Sequence, residues 1–372
     1  MAQALELARR GEALASPNPM VGALVVSDGE MVGSGFHTYD GRHHAEALAL
    51  DQAGERARGA TLYLNLEPCS HAGRTPPCVE RIIAAGVARV EAAMIDPNPL
   101  VSGKGIERLR GAGIRVGLGI AEDEARQLNQ TFAKYVRTGL PFVTLKIAMT
   151  LDGRITSPDR EERWISSAAA RAEVQHLRHR HDAILTGSGT IAVDDPELTD
   201  RSPVATHPRR RPLLRVILDS RLSISPAARV IQTAAHDVLL LTAVTSTEAS
   251  KRFSGGSVEI VSVGGEGPYH AVRGEAQVDL KGALKELGRR EITSVLVEAG
   301  ARLSTAFLKA GLVDKMILYY TPKLIGQEGT LPLVARNFSR LAQAPTLHNV
   351  TVRQLGDEAV VEGYLRDVYR NH

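Results

Sequence analysis

Cysteine occurs twice in this 372-residue chain, at Cys69 and Cys78 within "EPCSHAGRTPPC", and each directly follows a proline. Two thiols nine positions apart can close a small disulfide loop or hold a metal ion. Upstream, "HAE" (44–46) adds an imidazole and a carboxylate. Two cysteines and one histidine fill three tetrahedral positions of zinc and leave the fourth for water, the pattern of a catalytic site. His44, Cys69 and Cys78 are therefore the expected ligands. Glu46 lies two positions from His44, about 200° around a helix. It is better placed as a proton carrier than as a ligand beside His44. His37, His43 and His71 are rival ligands, and a core histidine is the plain alternative for His44.

Composition weighs on the choice between bridge and metal. Hydrophobic residues make up 43% and charged residues 23%, as in an ordinary soluble enzyme. The net charge is only +3, which is weak ground for a nucleic-acid partner. Aromatic residues are 4%, too few for a base-stacking groove. "RHRH" (178–181) and "HPRRRP" (207–212) read as a solvated face or a local anion site. No apolar run reaches the roughly 18–20 residues that cross a membrane. The N-terminal stretch lacks the apolar segment of an export signal. A cytoplasmic location is expected, where structural disulfides are rare and a metal site gains weight.

The elements that must position these groups follow from periodicity. "VGALVVSDGEMVGSGFH" (21–37) is a hairpin around Asp28-Gly29. "HAEALALDQAG" (44–54) is a helix ending at Gly54. Residues 60–68 read as a strand, 78–86 as a helix that Cys78 opens, 89–96 as a strand, 105–113 as a helix and 114–120 as a strand. At a helix start, the dipole and free N–H groups favour a thiolate. Residues 121–139 read as one long helix. Strands alternating with helices make this a three-layer α/β domain.

A break near Gly139 and Pro141 sets the boundary: one domain over 1–140, a second over 141–372. The second shows apolar strands at 183–189, 213–220, 237–243, 258–264 and 294–300, the pattern of a buried parallel sheet. Its tail, 314–324 and 348–366, reads as antiparallel strands. Residues 199–212 read as an exposed loop. "TGSGT" (186–190) and "EAGAR" (298–302) follow strands and offer glycine-lined turns for a phosphate. Neither is G-x-G-x-x-G, and ordinary strand-helix turns use glycine too. Ser220 and Arg221 follow a strand end, where an arginine could pair with a 2′-phosphate and favour NADPH over NADH, although an exposed serine and arginine in a loop is the more common explanation.

A His/Cys/Cys zinc with a non-ligand glutamate is the signature of nucleobase deaminases, H-x-E…P-C-x-x-C. Here eight residues separate the cysteines. "SPNPMVGALVV" (16–26), "HAE", "LEPCSHAGRTPPC" (66–78) and "DPNPLVSGKG" (96–105) together resemble the deaminase half of the bifunctional riboflavin-biosynthesis deaminase/reductase family. "LKIAMTLDGRI", "WIS", "AILTGSGTIAVDDPELTDR", "VILDS" and "VEAGARL" resemble its reductase half, so the likeness spans nearly the whole chain.

That resemblance implies a cytidine-deaminase-like N-terminal domain and a dihydrofolate-reductase-like C-terminal domain. It implies zinc on His44, Cys69 and Cys78, with Glu46 as proton donor. Asn18 and the "DPNP" segment would line the pyrimidine pocket. Ala148, Trp164, Thr190, Asp194, Ser220, Gly300, Ala301 and Arg302 would contact NADPH. Arg178, Leu198, Arg201 and Glu298 would contact the ribosylaminopyrimidine phosphate. Lys146 and Asp152 would help position the reacting sugar. The partners implied are a small-molecule substrate and further copies of the chain. One departure stands out: Glu162 occupies a position where the family pattern has serine. A carboxylate there repels a phosphate unless Arg160 or Arg163 neutralises it. It keeps open a single-activity deaminase with an impaired reductase half.

Overall fold

The computed structural model describes all residues except 42, 72–75, 157–163, 204, 206, 245–250, 254–256, 265–276, 327–331, 334–343 and 371–372. Glu162 and its neighbouring arginines lie outside the described residues. The chain divides into two compact units, one over Met1–Gly139 and one over Leu140–Arg370.

The first unit is built on five strands: β1 (Gly22–Ser27), β2 (Glu30–Phe36), β3 (Thr61–Leu64), β4 (Arg89–Ala92) and β5 (Arg115–Leu118), in the order β2-β1-β3-β4-β5. β1 runs antiparallel to β2 and β3, and β3, β4 and β5 are parallel. The hairpin turns through Asp28 and Gly29, both at positive φ, as a tight two-residue turn requires. Successive residues of β1 face opposite sides, and helices cover both. A Cβ at Gly22 would strike helix Ala2–Arg9, whereas one at Gly35 would lie 2.6 Å from the Ala45 carbonyl of helix Ala45–Ala53. Three layers result, and the glycines let the second helix, which follows His44, sit directly on the sheet.

The expected helix over 121–139 is two helices, Glu122–Leu128 and Gln130–Thr138. The break falls at Asn129, which is buried. Its Oδ1 accepts from the Met20 N–H at 2.8 Å and its Nδ2 donates to the Met20 carbonyl at 3.0 Å. That tertiary clasp outweighs continued helix. The strand expected over 60–68 ends at Leu64, and the chain beyond it forms the loop that carries Cys69.

The second unit holds nine strands: β6 (Phe142–Thr150), β7 (Ala183–Gly187), β8 (Leu214–Leu218), β9 (Val238–Thr242), β10 (Val258–Ser262), β11 (Ser294–Glu298), β12 (Lys315–Thr321), β13 (His348–Leu355) and β14 (Glu358–Tyr364). Their order is β10-β9-β8-β7-β11-β6-β12-β14-β13. As the reading of the tail expects, β12 is antiparallel to β14 and β14 to β13; the other edge of β12 pairs parallel with β6. Helix Ala301–Lys309 lies between β11 and β12, and a crossover through a helix brings the chain back in the same direction.

Both faces of this sheet are apolar. Leu145, Val216, Leu239 and Val297 pack with Leu284 and Leu287 of helix Leu280–Arg289 and with Phe307. Ile184, Ile217 and Leu240 pack with Ile191, Leu198 and Val230. Leu296, Ile317 and Tyr319 face Ala170, Val174 and Leu177 of helix Ala168–Arg180. Burial on both faces explains the uninterrupted apolar runs.

The loop over 199–212 is not simply exposed. The Arg209 guanidinium donates to the carbonyls of Arg178 at 3.0 Å, His181 at 2.7 Å and His179. Arginine thereby adds donors to the carbonyls that end helix Ala168–Arg180. The "HPRRRP" run is neither a solvated face nor an anion site at this arginine.

Candidate active site

His44 is the N-cap of helix Ala45–Ala53, with extended backbone, and Cys78 is the first residue of helix Cys78–Ala84. Cys69 lies in the loop after β3, and the Val79 N–H donates to its carbonyl at 3.2 Å. Three separate segments thus meet. His44 Nδ1 is 3.0 Å from Cys78 Sγ and 3.6 Å from Cys69 Sγ. All three donor atoms lie within 4.8 Å of one another, and both cysteines are free thiols. The disulfide reading falls.

The electrostatics of the cluster suit a cation. Hydrogen bonding from Cys78 pulls the Cys69 thiol down to about 4, and His44 and the Cys78 N–H add to the effect. The hydrogen bond to Cys69 raises His44. One imidazole nitrogen and two sulfurs, one already thiolate in character, are the donor set that zinc takes with an open vertex.

Glu46, the residue expected to carry a proton, lies beside this cluster. It is 4% exposed, and burial raises its carboxyl above the usual carboxylate range. It faces Cys78.

The rival histidines resolve by geometry. His37 is buried, its Nε2 is 3.0 Å from Asn18 Nδ2, and its Nδ1 is 3.0 Å from the His43 carbonyl. Its ring meets that of His44 edge-on, 5.3 Å between centroids. His43 and His71 are exposed and stand outside the three-residue cluster. The chain spacing carried no sign that His37 would brace the His43–His44 backbone and hold the Asn18 amide.

Glu67 also escaped the sequence reading. It is 3% exposed, and its carboxylate accepts from four backbone N–H groups: Asp96 at 3.0 Å, Gly103 at 2.9 Å, Gly105 at 2.8 Å and Ile106 at 3.3 Å. Nearby, Asp96 Oδ1 accepts from the Asn98 N–H at 2.8 Å. Burial pushes the Asp96 carboxyl up to about 7, and the Glu67 and Cys69 charges push the same way.

In the second unit, β8, β7, β11 and β6 are neighbours and parallel, so their carboxyl ends form one edge. Ligands of open α/β sheets bind at such edges. Ala148 lies on β6. Thr190 and Asp194 lie on helix Ser188–Asp194 after β7, Ser220 follows β8, and Gly300, Ala301 and Arg302 begin the helix after β11. Ser188, Asp219, Ser220, Arg221, Ser223 and Gln277 line a small polar cavity of about 160 Å³. Asp219 accepts from Ser223 Oγ at 2.9 Å and from the Ile224 N–H at 2.8 Å, and hydroxyls and a guanidinium complete the lining. Hydroxyls and a guanidinium are groups that suit a phosphate.

Trp164 is 66% exposed, with the Arg171 guanidinium 5.0 Å from its ring centroid. Arg178 and Glu298 are paired with each other, Nε to Oε1 at 2.7 Å, and Lys146 Nζ is 4.0 Å from Glu298. Burial alone would raise the Glu298 carboxyl, but Arg178 and Lys146 outweigh it and hold it low. Leu198 is buried at positive φ. Arg201 is not joined to the Arg178–Glu298 pair: its N–H donates to Gln175 and its guanidinium lies 3.6 Å from Glu197.

Comparison with known proteins adds to this geometry. Residues 1–94 match the cytidine and deoxycytidylate deaminase zinc-binding region, and residues 141–361 match the RibD C-terminal domain. The riboflavin biosynthesis protein RibD of Escherichia coli is 42% identical, over 96% of both chains, and that of Aquifex aeolicus is 40% identical, over 97% and 96%. The structure of Acinetobacter baumannii RibD superposes with a TM-score of 0.85 at 40% identity, covering 98% of this chain and 97% of that one. A Thermotoga maritima diaminohydroxyphosphoribosylaminopyrimidine deaminase/5-amino-6-(5-phosphoribosylamino)uracil reductase gives 0.80 at 35% identity, over 98% and 97%. Among the described residues, no helix is long and apolar enough to cross a membrane.

Proposed function

Because this chain belongs to the RibD family, we propose that it carries out two consecutive steps of riboflavin biosynthesis, one in each unit. The deaminase occupies 1–140 and removes ammonia hydrolytically from 2,5-diamino-6-(5-phosphoribosylamino)pyrimidin-4(3H)-one. The reductase occupies 141–372 and converts the ribosyl side chain of the product to ribityl with NADPH. The observation that carries the reading is the convergence of His44, Cys69 and Cys78 beside the buried Glu46. No observation favours a single-activity deaminase.

In the first unit, His44, Cys69 and Cys78 would hold zinc, which would supply Lewis acidity to activate water. Glu46 takes a proton from the attacking water as the ring carbon bearing the exocyclic amine is attacked. It then returns the proton to the departing amine, and ammonia leaves. A carboxyl raised by burial suits both halves of that transfer. Asn18, held by His37, and the segment 96–99 orient the pyrimidine.

In the second unit, Ala148, Trp164, Thr190, Asp194, Ser220 and the turn 300–302 bind NADPH, which supplies a hydride to C1 of the ring-opened ribose imine. Arg178, Leu198, Arg201 and Glu298 bind the phosphorylated substrate, with Lys146 beside the reacting sugar. The phosphate is a remote handle whose binding energy fixes the geometry at C1. Two free thiols clustered with an imidazole support a reducing, cytoplasmic setting. Assembly into a homo-oligomer is proposed on the family resemblance alone.

A coupled assay with the diaminopyrimidine ribosyl phosphate tests the reading. Ammonia release and NADPH oxidation are followed separately. Both are expected, ammonia first; absence of either removes the corresponding half.

A further inference from the structure

Glu67 is a charged group buried two residues before Cys69, yet the chemistry above does not use it. Its two oxygens accept four backbone N–H groups from positions 29 to 39 residues further along the chain. A carboxylate offers about four acceptor sites. All are taken, so Glu67 has no free lone pair for a metal ion or a travelling proton. Its own N–H donates to the Met94 carbonyl at 3.0 Å, which ties its backbone to the end of the β4 segment.

What these bonds join is specific. One oxygen holds Gly105 and Ile106 at the start of helix Lys104–Gly111. The other holds Asp96 and Gly103, the two ends of the loop 96–103. That loop contains the 96–99 segment placed at the pyrimidine pocket. The helix start also touches the cysteine loop directly, because a Cβ at Gly105 would overlap the Pro68 carbonyl. Inside the loop, Asp96 accepts from Asn98 and Asn98 accepts from Leu100 at 3.0 Å. These local turns shape the loop but do not anchor it. The Glu67 carboxylate supplies the anchor.

We propose that Glu67 is a positioning residue of the deaminase. It locks the substrate-facing segment 96–99 to the loop that delivers Cys69, so that the pyrimidine and the metal ligands share one frame. The inference rests on the deaminase reading of this site.

Glu67→Gln in the full chain is the test, because it keeps size and replaces one acceptor oxygen by a donor. Two N–H groups then face an NH2. The KM for the diaminopyrimidine is expected to rise about tenfold, the scale of one lost buried hydrogen bond, with kcat changed much less. Zinc content and the NADPH-dependent step should match the parent chain. Hydrogen exchange should quicken at the amides of 96, 103, 105 and 106 and stay unchanged elsewhere in the unit. Glu67→Asp keeps both acceptors with shorter reach. It should fold and shift the same readings in the same direction but less, and it decides the matter if the Gln variant does not fold. KM and local exchange indistinguishable from the parent in the folded variant overturn the proposal. Loss of zinc would overturn it too, because Glu67 would then serve the metal loop itself. Absence of ammonia release by the parent chain would strike the deaminase reading instead, and the exchange measurement would still decide Glu67.

Discussion

Arg178 meets Glu298 along one edge of its guanidinium, Nε to Oε1 at 2.7 Å and Nη2 to Oε2 at 3.2 Å, with both side chains largely buried. The remaining Nη1 donates to the Thr199 carbonyl at 3.1 Å. Helix Ala168–Arg180, the carboxyl end of β11 and the segment at Thr199 are thereby pinned together.

Arg178→Lys should therefore fail as a conservative change. Lysine has no fork to match both carboxylate oxygens. The KM for the phosphorylated substrate in NADPH oxidation should rise about tenfold or more, the value of a lost charge-assisted bond. Ammonia release should be untouched. An unchanged reductase KM would remove Arg178 from the substrate site.

Glu46→Gln should abolish deamination, with a fall of about 10²–10⁴-fold expected for a lost general acid-base. Zinc content and the NADPH-dependent reduction should be retained. Continued ammonia release at the parent rate would refute the assigned role.

Chelation of zinc should separate the two activities. Ammonia release should fall with metal content and return on adding zinc, whereas NADPH oxidation on the deaminated substrate should persist. Cys78→Ser, which weakens the soft donor set, should behave as the partly chelated protein does. Metal analysis run beside both assays checks this, and loss of both activities together would contradict it.

Arg221→Ala should weaken NADPH binding by about tenfold, one lost phosphate contact, and leave NADH binding unchanged. Fluorescence titration with both nucleotides reads the difference. Equal effects on the two would mean that Arg221 does not face the 2′-phosphate.

His181 should give the second unit an acid-sensitive stability. Burial lowers its imidazole to about 4, its Nδ1 lies 2.6 Å from the Leu177 carbonyl, and its Nε2 lies 3.0 Å from Thr144 Oγ1. The unfolded chain titrates near 6.5. Between these values the unfolded state binds a proton that the folded state refuses. Stability is complete above about pH 6.5, falls as pH drops toward 4, and levels off below. The loss is about 3 kcal/mol at most, since each tenfold change in proton affinity is worth about 1.4 kcal/mol. His181→Asn should lower the Tm at neutral pH and flatten its slope across that window. A variant that kept the parent's slope would assign the effect elsewhere.

The metal chemistry was legible in the chain because ligand identity is residue identity. Two prolyl-cysteines and an H-x-E motif name sulfur, imidazole and carboxylate before any fold is known. The hairpin at Asp28-Gly29 and the parallel core of the second unit were equally readable, since turn chemistry and burial on both faces leave local signatures. Tertiary structure alone decided why the helix breaks at Asn129, how β12 joins β6, and what Arg209 and Glu67 hold. Each of the last two bonds backbone groups, which every residue carries alike. A partner of that kind leaves no mark in residue type or spacing; only the folded path of the chain brings it within reach.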